Sequence, residues 1–177
     1  MDDELQRILG PEYLGDLAQR PIDDIRALRV ECQQVETGLS YVRRLVQGRL
    51  DIVRGEMTRR EEGGDPADIS TLIGKLPEIL SDRTRGPGVG RLPTLMAPGD
   101  VHGAITDELD AIVADGNLDS LPEVSDDELD SLRERLEELE RTVSDQRHQV
   151  FERLDALQAE LTRRYRTGEA SVESLLQ

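Results

Sequence analysis

The sequence predicts an all-α protein: an antiparallel two-helix coiled coil with short flanking and linker helices. Three observations carry that prediction. Apolar residues recur at alternating steps of three and four over two long stretches, the seam pattern of paired helices. Aromatic residues make up only 2% of the 177 residues, with no Trp and one Phe, whereas an ordinary globular core uses more large rings. Charged residues reach 34% and, with Leu and Val, fall in helical period.

The elements follow in order. Residues 1–20 hold a short amphipathic helical segment, Asp3 to Leu9, broken by Gly10-Pro11, and a second short piece from Glu12 to Gln19. Pro21 then opens coiled-coil helix 1, residues 21–62, where its missing N–H is harmless in the first turn. Ile25, Cys32, Leu39, Val46 and Val53 take seam position a, and Leu28, Val35 and Val42 take d, with Arg49 interrupting. Such a helix is about 60 Å long at a rise of about 1.5 Å per residue. Gly38, Gly48 and Gly55 inside it read as tolerated slack or as points of close backbone approach. Residues 63–124 form a linker with short helices. Glu61-Glu62-Gly63-Gly64 ends helix 1, Asp68 or Ser70 caps a short helix to Leu76, and residues 83–100 read as a mobile, Gly- and Pro-rich connection. A further amphipathic helix covers residues 100–114 and stops at Asp115-Gly116-Asn117.

Coiled-coil helix 2, residues 125–168, opens on the capping box Ser125-Asp126-Asp127-Glu128. Leu129, Leu136, Val143, Val150 and Leu157 take a, Leu132 and Leu139 take d, and Gln146 and Arg153 are polar d positions. Thr167-Gly168 closes the helix and leaves the tail 169–177. The linker is long enough for either direction of pairing; an intramolecular antiparallel pair is the expected one.

Charge and cysteine content limit the function. A formal net charge of -16 disfavours non-specific binding to DNA or to an anionic membrane and fits a basic protein partner, although acidity also serves solubility. Cys32 is the single cysteine, so no intrachain disulfide forms. No signal peptide pattern and no apolar run long enough for a bilayer are present, and the expected location is cytoplasmic.

The informative feature is a repeated polar stripe. Helix 1 carries Glu36, Ser40, Arg43, Gln47 and Asp51; helix 2 carries Glu140, Ser144, Arg147, Phe151 and Asp155. Steps of four, three, four and four place each set on one helical face, beside the seam and in the same heptad phase. In an antiparallel pair the two stripes border the same side, so the expectation is one polar site made of two similar halves, suited to a two-fold symmetric ligand or to a pair of identical molecules. Arg offers a planar fork to phosphate or to the O6/N7 edge of guanine, and carboxylates accept from guanine N–H groups. Carboxylates beside phosphates make sense only if they read base donors, which favours a guanine nucleotide over a simple polyanion. Such residues also populate any exposed coiled-coil face; the same spacing twice in one phase is what distinguishes the stripe.

The pattern E-xxx-S-xx-R-xxx-Q-xxx-D at Glu36, Ser40, Arg43, Gln47 and Asp51 resembles the signature of the RsiG anti-sigma factors of actinobacteria. The second copy resembles the single-chain form of that family, with Phe151 where the pattern has Gln. The resemblance implies that a dimer of cyclic di-GMP binds the coiled coil through Glu36, Ser40, Arg43, Gln47, Asp51, Glu140, Ser144, Arg147 and Asp155. It implies that the arginines and aspartates are the principal contacts. It further implies that the loaded protein, a monomer in a heterodimeric complex, sequesters a sporulation sigma factor of the WhiG type and represses transcription.

Enzyme readings find little support. His102 and His148 lack metal-ligand spacing, and Cys32 sits at a seam position as a small core residue. Gly86-Pro87-Gly88-Val89-Gly90 lacks the Lys of a phosphate loop, and Asp115-Gly116-Asn117-Leu118-Asp119 lacks calcium-loop spacing. The rival of another class is a structural coiled-coil adaptor without a small ligand; a homodimer pairing two chains through the same seams is a third arrangement.

Overall fold

The computed structural model describes residues 2–63, 103–116 and 118–169. All regular structure among them is helical: α1 (Asp2–Leu9), α2 (Ile22–Glu61), α3 (Ala104–Asp115) and α4 (Asp126–Thr167). Short 3-10 segments, Leu17–Gln19 and Leu118–Glu123, precede α2 and α4. The short helix expected over 68–76, the connection 83–100, His102 and the tail beyond Glu169 lie outside the described residues.

The helix ends follow from local chemistry. At the start of α4 the Ser125 Oγ accepts from the Glu128 amide at 3.3 Å, and the Glu128 carboxylate accepts from the Ser125 amide at 3.0 Å. These Ser125 contacts, led by its hydroxyl, hold the Glu128 carboxyl below its ordinary range. Gly63 and Gly168, at φ 72° and 74°, supply the left-handed residue that stops α2 and α4. The segment expected over Glu12–Gln19 is less regular. It runs through turns and becomes 3-10 only at Leu17–Gln19, because Asp16 stands at φ 53° and cannot continue a right-handed helix. The 3-10 segment Leu118–Glu123, with Pro122 inside it, has no signal in the helical period of the sequence.

The chain divides into two compact units. The terminal unit joins the chain up to Ser40 to the chain from Ser144; the central unit runs from Tyr41 to Val143. In both, a stretch of α2 lies antiparallel to a stretch of α4. In the terminal unit Arg26 donates to the Tyr165 hydroxyl at 2.6 Å, while Arg147, earlier in α4, meets Glu36, later in α2. In the central unit the order is Arg43 with Glu140, Arg54 with Glu137 and Arg60 with Asp126.

The predicted seam is the core. Ile25, Cys32, Val35 and Leu39 are buried in the terminal unit, as are Val150, Leu154, Leu157 and Leu161. Val42, Val46, Leu50 and Val53 are buried in the central unit with Leu129, Leu132, Leu136, Leu139 and Val143. Leu28 is only half-buried. Each short helix adds apolar anchors, Leu5 and Ile8 from α1 and their counterparts Leu109 and Ile112, with Ile105, from α3. A Cβ built on Gly48 would meet nothing within 4 Å, so this glycine is slack and not a close approach.

These anchors expose a longer repeat than the stripe alone. Many residues of the first half recur 104 positions later, as Glu36 does at Glu140. The match begins at Asp3-Glu4-Leu5 with Asp107-Glu108-Leu109 and ends at Glu56-xx-Arg59-Arg60 with Glu160-xx-Arg163-Arg164. α1, its 3-10 segment and α2 thus have α3, its 3-10 segment and α4 as counterparts.

Candidate functional site

The stripe divides into two half-sites, one within each unit. In the terminal unit, α2 supplies Glu36 and Ser40, and α4 supplies Ser144, Arg147, Phe151 and Asp155. Glu36 is 6% exposed, although it lies beside the seam. Its Oε1 accepts from the Ser40 hydroxyl at 2.6 Å and from Arg147 Nε at 3.0 Å. Arg147 Nε also reaches Ser40 Oγ at 2.7 Å. A carboxylate this buried is tolerable only because a cation and a hydroxyl both face it. The Arg147 guanidinium lies over the Phe151 ring, 4.7 Å from its centroid. Ser144 is half-buried.

In the central unit, α2 supplies Arg43, Gln47 and Asp51, and α4 supplies Glu140. Arg43 Nε donates to Glu140 Oε1 at 2.9 Å, the counterpart of the Arg147–Glu36 pair. Gln47 Nε2 donates to the same oxygen at 3.0 Å, which Phe151 cannot imitate. The structure therefore joins Glu36, Ser40 and Arg147 in one cluster and Arg43, Gln47 and Glu140 in another. It leaves Asp51, half-buried, and Asp155, exposed, with no hydrogen bond or ion pair among the described residues. Each half-site thus presents an arginine fixed through Nε by a glutamate of the opposite helix, and an uncommitted aspartate two turns farther along the arginine's own helix. The donors suit a phosphate or a base edge, and the free carboxylates suit base N–H donors.

Sequence reasoning missed the clusters at the helix ends. Glu56 occupies a d position yet is 1% exposed. Arg59 grips it with Nε and Nη2 at 2.7 and 2.6 Å, and Arg60 Nε adds a third bond at 2.8 Å. Arg60 Nη2 then caps the Leu121 and Val124 carbonyls at 2.8 and 2.7 Å. In the terminal unit Glu160 is held by Arg163 and Arg164, and Arg164 caps the Leu17 and Arg20 carbonyls, each at 2.7 Å. Leu17 and Arg20 are the repeat counterparts of Leu121 and Val124. The hydrogen bonds of Arg59, then of Arg60, draw the Glu56 carboxyl below its ordinary range. Those of Arg163 and Arg164 hold Glu160 at about 2. The signal was the recurrence of E-xx-R-R at the same offset as the stripe.

Other candidates resolve simply. Cys32 is a free, fully buried seam residue whose thiol is pushed up chiefly by burial, and its Sγ lies 3.4 Å from the Tyr13 hydroxyl. His148 is exposed, 3.7 Å from Glu152. Among the described residues no group of His, Cys, Asp and Glu could hold a metal ion, and no helix is long and apolar enough to cross a membrane.

The described residues thus form an antiparallel helical pair with a cross-helix polar cluster in each unit. The RsiG-like family model matches residues 11–80 and 115–177, both copies of the stripe included, and the chain belongs to the RsiG-like family. Membership suggests an anti-sigma role, with a sigma factor as partner and regulation as the activity. No curated protein matches the chain.

Proposed function

We propose that this chain is an anti-sigma factor that takes cyclic di-GMP on its two half-sites and, loaded, sequesters a sporulation sigma factor of the WhiG type. The observation that carries the reading is the duplicated cluster: Arg43 with Glu140 and Arg147 with Glu36, each with an aspartate on the arginine's helix that has no partner among the described residues. Two equivalent half-sites call for two equivalent guanine-bearing ligands, so a nucleotide dimer is the expected stoichiometry. The arginines meet guanine or phosphate, and Asp51 and Asp155 accept from the guanine N–H edge. Glu36 and Glu140 hold the arginines in place, with Ser40 beside one and Gln47 beside the other. The nucleotide is a signal and is not consumed.

The test is a titration of cyclic di-GMP into the full chain, with and without the sigma factor. Binding to the folded state raises the melting temperature by mass action, an increment of about 2.7 kcal/mol in stability at a hundredfold excess over Kd. Arg43→Ala and Arg147→Ala each weaken nucleotide binding and, with it, capture of the sigma factor. No thermal shift at saturating nucleotide, with sigma-factor capture unchanged, leaves a coiled-coil adaptor instead.

A further inference from the structure

The half-sites differ at one position of the stripe, Gln47 in the central unit and Phe151 in the terminal unit. We propose that Phe151 is a positioning residue for Arg147, backing its guanidinium so that the Nη edge is presented to the nucleotide in one orientation. This rests on the function proposed above and goes beyond it by giving a role to the one residue that departs from the stripe.

Three contacts define the geometry. Arg147 Nε is tied to Glu36 Oε1 at 3.0 Å and to Ser40 Oγ at 2.7 Å. The Phe151 ring lies against the guanidinium with Cζ 4.7 Å from its centroid. Neither Nη1 nor Nη2 has a hydrogen-bond partner among the described residues. With one edge tied and the plane backed by a ring, the remaining N–H groups form a fork of fixed orientation, which matches the two adjacent acceptors of a guanine or of a phosphate. The ring is therefore engaged by the arginine and does not serve as a free platform for a base. Its counterpart Gln47 works differently, by donating to the Glu140 carboxylate that holds Arg43. An arginine already immobilised loses less freedom on binding, so the ring strengthens binding without touching the ligand.

The experiment uses the full chain and two readouts. Titration calorimetry with cyclic di-GMP should show Phe151→Leu binding about twofold to fivefold more weakly than wild type, the range of an exposed cation–π contact. Phe151→Tyr, which keeps the ring, should bind as wild type does. NMR of the ligand-free chain reports the positioning itself. The Arg147 Nε–H group should exchange slowly with water in wild type and Phe151→Tyr, and faster in Phe151→Leu, so the exchange rate is the signal that is read. Phe151→Met serves as a second ringless variant should Leu disturb the fold. Unchanged affinity in the ringless variants overturns the proposal. So does a loss of affinity with the Arg147 signal unchanged, which would mean that the ring meets the nucleotide directly. A wild-type chain that does not bind cyclic di-GMP, with the Arg147 signal behaving as stated, instead overturns the proposed function and leaves the Arg147–Phe151 contact standing without that ligand.

Discussion

In the central unit Arg60 caps two carbonyls and also meets the Asp126 carboxylate at 2.6 Å. In the terminal unit Arg164 caps the two equivalent carbonyls, but the residue matching Asp126 is Ile22, and no carboxylate stands there. The two units hold the same framework with different fillings. What both keep is the pair of anchors from a short helix, the seam, the Arg–Glu pairs of the stripe and the arginine clamp. What differs is whatever only one unit uses: Phe151 against Gln47, Gln146 against Val42, Gly116 against Glu12. A duplicated chain thus carries its own control, since a position polar in one copy and apolar in the other is set by its surroundings and not by the helix pairing.

The clamp is where the comparison should break most visibly. Glu56 is almost fully enclosed and carries three arginine hydrogen bonds, whereas the Glu160 side chain keeps 13% of its surface in water. Glu56→Ala strands two arginines in a buried setting and should destabilise the chain by about 3–5 kcal/mol in urea unfolding. Glu160→Ala should cost less, because water can replace the lost partner. Equal losses would mean that burial does not separate the two clamps. Acid tests the pair together. Both carboxyls are drawn down in the folded state, Glu56 by Arg59 and Arg60, Glu160 to about 2 by Arg163 and Arg164. Their contribution is therefore complete above the ordinary carboxyl range near 4.5 and is lost as pH falls toward 2. The melting temperature should drop across that window, and the drop should shrink in Glu160→Gln.

A second difference lies where α3 meets α4. A Cβ on Gly116 would stand 2.5 Å from Leu132 Cδ1 and 2.8 Å from its Cδ2, and Leu132 is 2% exposed, so it must repack within the core. Gly116→Val should therefore overpack the central unit and cost about 1–3 kcal/mol. Its counterpart Glu12 is exposed, and Glu12→Val should change stability by no more than about 0.5 kcal/mol. A neutral Gly116→Val would show that α3 shifts freely on α4.

Most of the framework was legible in the sequence because its physics is periodic. The a and d steps locate the seam, Ser125 and Glu128 mark the start of α4, and the stripe marks residues that the structure joins in the polar clusters. What escaped is non-periodic. Glu56 at a d position reads as the end of an apolar pattern, and only the arginines folding back on it from one turn later make it a core residue. The left-handed Asp16 and the 3-10 turn at Leu118–Glu123 are set by docking of short segments, which helical period does not encode. That Glu36 would be buried was also not legible, because position e lies beside the seam and its enclosure depends on Arg147 and Ser40. The contact of the Phe151 ring with the Arg147 guanidinium is likewise a matter of geometry.

The smallest expected effect is the one that most directly uses one copy to correct the other. Gln146 is a polar d residue of the terminal unit, and its Oε1 is buried with no hydrogen-bond partner among the described residues. The same position of the repeat in the central unit is Val42, fully buried at 0% exposure. A buried acceptor without a donor loses its hydration and gains nothing in return. Gln146→Val removes that acceptor and installs the side chain the other copy already packs at the equivalent seam position. It should stabilise the chain by about 1 kcal/mol, read as a rise in the urea midpoint at unchanged slope. The reverse change, Val42→Gln, places an unsatisfied amide in the central seam and should destabilise by about 1–3 kcal/mol. If Gln146→Val is instead destabilising, the amide is held by a partner the described residues do not supply, and the polar d position is a requirement of the terminal unit and not a relic of its divergence.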